Sequence, residues 1–229
     1  MNISSYLENI YIIPLLIFSV VIHEMAHAWV ALRCGDTTAK DLGRITLNPI
    51  PHIDLVGSIL IPVVSIIATG RVLIAWAKPV PIDPRNFRSF KRDDTLVTIA
   101  GPLSNLIIAF LCVFGVVGFF YLNGAIKPND GSMGHEFIGY MIKMFYAGIL
   151  LNVSLAIFNM IPIPPLDGSH VLANVLPDHA AMRYRSVGFS GIFIILMLFN
   201  FVPGFARFFF SIIYSVAQPY YKLIDVFIK

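Results

Sequence analysis

Charge is what this sequence has least of. Only 13% of its 229 residues are Asp, Glu, Lys or Arg, while 57% are hydrophobic, and the mean hydropathy is +0.79. A soluble domain carries about a quarter charged residues, so the composition excludes one. Cysteine is scarce too. Cys34 and Cys112 are far apart, one near the end of an apolar run and one inside another, which argues against a disulfide and a cysteine metal site. A net charge of +3 does not point to nucleic acid, and no such partner is expected. No Lys or Arg precedes His23. The first apolar segment therefore lacks the basic n-region of a cleavable signal peptide.

What is present instead is apolar length. Apolar runs around Leu96–Leu122, with the span opening at Gly101-Pro102, and around Ile138–Ile161, interrupted only by Lys143, are each sufficient to cross a bilayer. Two shorter ones follow at about Val187–Val202 and Phe205–Tyr221, the second interrupted by Gln218-Pro219. With the run from about Ile10 to Leu32, this predicts an all-α polytopic membrane protein of about five full transmembrane helices. Leu55–Ala68 carries Gly57, Pro62 and Ser65 and is too short for an easy crossing, so it reads as re-entrant. Turn residues between Asp36 and Pro51 suggest small β or extended elements on the cytosolic side. One domain, 1–229, is expected, with a catalytic core of about 10–175 and accessory spans of about 187–221.

The few charges set the orientation. Basic residues cluster from Arg33 to Arg92 and again at Arg183 and Arg185. By the positive-inside rule the N-terminus faces out, and the stretch from Arg33 to Asp94 belongs to the cytosol of a multi-pass cell-membrane protein.

Within the first run stands His23-Glu24-Met25-Ala26-His27. Residues four apart share a helix face, so both imidazoles can reach one Zn²⁺ while Glu24 polarises a water. Two satisfied histidines in a helical core would be the bland reading. Three ionisable side chains in an apolar span are costly, and that weighs toward function. With Arg33 at the inner interface, His27 and His23 lie roughly 9 and 15 Å beneath it at about 1.5 Å per residue. A catalytic zinc typically takes three protein ligands. The candidates for the third are Asp167, His170, His52, Asp54 and His179. Asp167 follows a span that descends to the inner face, behind a Pro162-Ile163-Pro164-Pro165 break that can turn it back into the bundle, with Gly168 permitting a tight turn.

Three blocks resemble the signatures of the site-2 protease family of intramembrane zinc metalloproteases. They are His23–His27, Gly101-Pro102-Leu103-Ser104-Asn105 and Asn159 through Gly168. The resemblance runs from the first span to about Val175, and is to the compact prokaryotic branch without PDZ or CBS domains. It implies one zinc per chain held by His23, His27 and Asp167, Glu24 as general base, and Asn159, Pro162 and Pro164 positioning the substrate strand. Asn105 joins them as a substrate-binding candidate. The implied activity is cleavage of a transmembrane protein substrate, in the bilayer, near the cytosolic leaflet. Trp76 to Pro81 is a candidate edge for the unwound substrate. A rival zinc protease with a Glu ligand on a later helix is disfavoured, because no Glu follows Glu136. A metal-binding transporter or a silent scaffold is the alternative, and the intact Glu24 speaks against silence.

Overall fold

A computed structural model describes residues 10–60 and 77–228. Among the described residues all regular structure is helical and there is no β-strand. The small β or extended elements expected between Asp36 and Pro51 are not strands but a short helix, Thr38–Asp41, and turns; helical turns also form at Ile50–His52, Leu55–Leu60 and Pro84–Asn86, with irregular chain, kept extended by its prolines, over residues 77–83. The reason lies in Pro49, Pro51, Pro79, Pro81 and Pro84, which have no N–H to give to a strand ladder. Leu55–Leu60 forms one π-helical turn, and the rest of the expected re-entrant segment lies outside the described residues.

Two compact units form, Val20–Gly101 on one hand and Met1–Ser19 with Pro102–Lys229 on the other. Helix α1, Ile13–Cys34, begins in the second unit and ends in the first. Pro14 sits in its first turn, where a missing N–H costs nothing. It stops at Gly35, whose φ of +113° suits a residue without Cβ. The N–H groups of Gly35 and Asp36 cap the carbonyls of Leu32 and Ala31 at 3.3 and 2.9 Å, the pairing of a Schellman motif. Arg33 lies 4.5 Å over the ring of Trp29, one turn back, an aromatic–cation pair suited to a membrane interface.

The unit Val20–Gly101 has a thin apolar core. Ala28, Ala39 and Val80 form one cluster and Ala31, Cys34 and Val97 another, with Ile82 packed on both. Alanines on α1 let the extended chain approach closely. The short helix α2, Thr38–Asp41, follows. Helix α3 then runs from Phe90 to Ile126, 37 residues. Gly101-Pro102 was expected to open this span; it lies inside the helix instead, because Asp93 turns back to accept the Ser89 N–H at 2.8 Å and starts the helix a full three turns earlier. At about 1.5 Å per residue α3 is roughly 55 Å long against a hydrocarbon core of about 30 Å, so its charged first turns extend beyond the membrane.

The other unit is a greasy bundle. It comprises the rest of α3, α4 (Met133–Asn159), α5 (Asp167–Val175), α6 (Asp178–Arg185), α7 (Gly191–Phe201) and α8 (Phe205–Phe227). Ala109, Val153, Phe209, Ile213 and Ala217 pack as one core. Helices approach at glycine: a Cβ on Gly148 would stand 2.2 Å from Leu15. Three helices, α1, α3 and α4, are long and apolar enough to cross a membrane, and a fourth crossing is available if α6 and the helical chain from Gly188 to Phe201, bent by 70°, act as one. Phe205–Phe227 is long enough but not apolar enough among these, since Arg207, Lys222 and Asp225 interrupt it.

Candidate metal centre and general base

On α1, His23 and His27 are both buried, each 7% exposed. Their Nε2 atoms face each other at 3.1 Å. Nδ1 of His27 lies 2.7 Å from the Val97 carbonyl, which can only accept, so that nitrogen carries the proton and Nε2 keeps its lone pair. A metal-ligating histidine is held in the same way, by the hydrogen bond its other nitrogen makes. Two nitrogens on tetrahedral zinc at about 2.05 Å stand about 3.3 Å apart. The observed pair is close to that spacing. The space beside it is kept open by Gly101 of α3, where a Cβ would fall 2.3 Å from His27 Nε2 and 2.7 Å from His23 Cε1. Two imidazoles, that of His27 with its tautomer fixed, converging under a glycine, suit a zinc ion.

Glu24, next along α1, is half-buried, and its Oε2 accepts the backbone N–H of Val80 at 2.8 Å. A carboxylate bonded through one oxygen retains the other for proton exchange. Val80 belongs to the extended segment, and that segment is tethered along its length. Lys78 N–H donates to the His52 carbonyl at 2.9 Å, and Arg44 Nη2 donates to the carbonyls of Lys78 and Pro79 at 2.9 and 3.2 Å. Asp83 N–H donates to Asp36 at 2.9 Å. Asp36 is fully buried and also accepts from the Thr38 N–H, the Thr38 hydroxyl and the Asn86 amide. Burial alone would raise the Asp36 carboxyl; these hydrogen bonds outweigh it and hold the carboxyl below its ordinary value.

The remaining sequence candidates fall in their own places. Asp167 is the first residue of α5, half-buried, and Gly168 behind it is needed for clearance: its Cβ would stand 2.2 Å from the Met160 carbonyl. Asn159 ends α4 and donates to the Leu155 carbonyl at 3.0 Å. The exposed Pro162 has its carbonyl engaged by the Tyr184 hydroxyl at 2.7 Å, and Pro164 is buried. Asn105 and Asn152 are fully buried, the amide of the first donating to the second at 3.0 Å and that of Asn152 to the Gly148 carbonyl at 3.0 Å. This geometry locks α3 to α4. Among the other candidates for the third ligand, His52 is buried with Nε2 at 3.1 Å from the Thr46 carbonyl. Asp54 caps its own turn by accepting the Gly57 N–H at 2.6 Å, while His170 and His179 are exposed.

Sequence reasoning missed Asp36, Arg44 and Val80. The signal for the last was available: in Pro79-Val80-Pro81 only Val80 has an N–H. The same fact bears on the segment as a substrate edge, since the N–H groups of Lys78, Val80 and Asp83 are already engaged within the unit.

Residues 11–199 match the profile of peptidase family M50. The chain is 38% identical over 189 residues to "Putative zinc metalloprotease YwhC" of Bacillus subtilis, covering 82% of this chain and 80% of that protein. It is 27% identical over 198 residues to "Putative zinc metalloprotease Rip2" of Mycolicibacterium smegmatis, covering 86% of this chain and 69% of that protein. No solved structure matches. With the profile covering most of its length, the histidine helix included, and a relative 38% identical over most of both chains, the chain belongs to peptidase family M50, the site-2 protease family.

Proposed function

We propose that this chain is an intramembrane zinc endopeptidase that cuts transmembrane segments of other membrane proteins near the cytosolic leaflet, as a step in regulated proteolysis. The observation that carries it is the convergence of the two Nε2 atoms at 3.1 Å beside Gly101, with the Glu24 carboxylate on the same helix. Family membership supports the reading, as do the zinc metalloprotease names of the relatives. Asp167 is assigned as third ligand from the resemblance of Asn159 through Gly168 to the family's third block. Two imidazoles and one carboxylate are a common ligand set for a catalytic zinc.

When bound, zinc would lower the pKa of a water to about 7 and polarise the scissile carbonyl. Glu24 accepts the proton of the attacking water and returns it to the leaving amine, with Oε2 anchored on Val80. His27 is kept in the ligating tautomer by Val97. Asn159, Pro162 and Pro164 are assigned to the substrate strand. A fifth membrane crossing would require Phe205–Phe227 to span.

A helical substrate hides its carbonyls in hydrogen bonds, so local unwinding must precede attack, and an unwound stretch in lipid costs several kcal/mol per unpaired group. Substrates with Gly, Asn or Pro in the cytosolic half of the span are therefore preferred, cut roughly 9–15 Å below the inner interface. The test is a single-span reporter carrying Gly and Asn there, against one of uninterrupted Leu, with purified chain. Cleavage of the first that stops with a chelator and returns with zinc is expected, and equal cleavage of both would remove the unwinding requirement. Asp167→Ala should lose zinc; full retention with parent affinity would move the third ligand elsewhere. For orientation, cysteines at Ser89 and Ser186, in a background lacking Cys34 and Cys112, should be shielded from impermeant external reagents while one at Ser132 is labelled. Labelling at Ser89 would reverse the topology.

A further inference from the structure

Glutamate is a flexible side chain, and a general base works only when its oxygen is held where the proton leaves. On α1 the neighbours in sequence do not hold Glu24; a distant backbone N–H does. Val80 is the donor, 56 residues away in sequence, at 2.8 Å.

The sequence around Val80 is built for that single bond. Pro79 and Pro81 have no N–H, so Val80 presents the one donor between Lys78 and Ile82. Each proline also restricts the residue before it to extended conformations, which removes the helical alternatives for Lys78 and Val80. The Val80 side chain is buried against Ala28 and Ala39, with Ala28 one residue past His27. On the far side of the segment Arg44, itself 9% exposed, donates from one nitrogen to two successive carbonyls, those of Lys78 and Pro79. Asp36 fixes the other end through Asp83. The donor is thus tethered both before and after it.

We propose that the Val80 N–H, held in place by Arg44, is the positioning group for the catalytic Glu24: it orients the carboxylate through Oε2 and leaves Oε1 for the proton. The proposal rests on the reading of Glu24 as general base and adds Val80 and Arg44 to the machinery. It also gives the extended segment an inward function in place of a substrate edge, since its donors at 78, 80 and 83 are engaged.

The direct test replaces Val80 by its α-hydroxy counterpart, which turns one amide into an ester and removes the N–H alone. With zinc-loaded full chain and the Gly/Asn reporter, kcat should fall about 10–100-fold, in the range expected when a general base is misplaced, with KM and zinc content unchanged. Arg44→Ala should show the same kcat loss at unchanged KM, and Arg44→Lys should recover most of it, because an ammonium can still donate to a carbonyl. These Arg44 variants decide the matter if the ester does not fold. Independently of activity, hydrogen exchange at the Val80 amide should be slow in the parent and in Glu24→Gln, which keeps an acceptor, and fast in Glu24→Ala. Parent-like kcat in the ester or in Arg44→Ala, or a rise in kcat, would overturn the proposal, as would a loss of zinc that accounts for the loss of rate. Cleavage by Glu24→Gln would instead remove the general-base reading beneath it.

Discussion

The two halves of this molecule bury different things. Among the described residues, every buried Asp and Arg lies in the unit Val20–Gly101: Asp36, Arg44, Asp93 and Asp94, beside His23, His27 and His52. Among its described residues, the unit that includes Pro102–Lys229 buries only Ser19, Asn105, Asn152 and Ser169 as polar residues. In the first unit side chains hold backbone, through Arg44 on two carbonyls, Asp36 on two N–H groups and His27 on Val97. In the second, apolar side chains hold helices. A hydrogen bond fixes direction as well as distance, whereas apolar packing fixes mainly volume. The proposed base Glu24 and the candidate ligands His23 and His27 lie in the unit with the polar ties. Substitutions in the polar unit should reach the chemistry, and those in the bundle away from Asn159, Pro162, Pro164 and Asp167 should change stability alone.

Two glycines give that contrast its strongest form. Gly101→Val should abolish zinc binding and cleavage, as His23→Ala and His27→Ala should, because even a Cβ would fall 2.3 Å from His27 Nε2. Gly148→Ala is as crowded, with Leu15 at 2.2 Å. It should cost about 1–3 kcal/mol of stability with zinc retained, as overpacking does. Metal analysis and thermal unfolding of both proteins check the pair, and zinc loss in the Gly148 variant would erase the distinction.

Asp36→Asn comes next. The amide would face donors with a donor, leaving buried N–H groups unsatisfied at about 1–3 kcal/mol. Because hydrogen bonding depresses the folded-state value of Asp36, its contribution is fully present above the ordinary carboxylate value of about 3.9. It is lost as pH falls through the lowered folded value. The gap in Tm between parent and variant should therefore close in acid; a gap that widens there would contradict the sign.

The smallest effect belongs to the bundle's buried Asn105–Asn152 pair. Asn105→Leu should cost about 0.6 kcal/mol, typical of an interhelical hydrogen bond in a membrane. Adding Asn152→Leu should restore part of it, since no acceptor is then left unpaired. Cleavage should persist in both. A large loss of cleavage at normal stability would assign Asn105 to the substrate instead.

Legibility followed the same divide. The convergence of His23 and His27 could be read because residues four apart share one face of a helix, and α1, α3 and α4 because apolar length is legible. Residues 36–54 and 77–83 could not be read in that way. Their order comes from Asp36, Arg44 and Glu24 binding backbone groups tens of residues away, and no local periodicity encodes such a bond. The start of α3 was misplaced for a related reason: Pro102 looks like a first-turn residue, but the Ser89–Asp93 cap lies upstream of it. In the C-terminal helices apolar residues serve packing as well as length: Phe209, Ile213 and Ala217 form one packed stripe on α8.

In the proposed reading His23 and His27 of the polar unit hold the metal and Glu24 is the base. Zinc content and reporter cleavage of purified Glu24→Gln test it most directly. One zinc per chain with cleavage reduced by about 10²–10⁴-fold is the predicted result. Cleavage at the parent rate, with zinc bound, would contradict it.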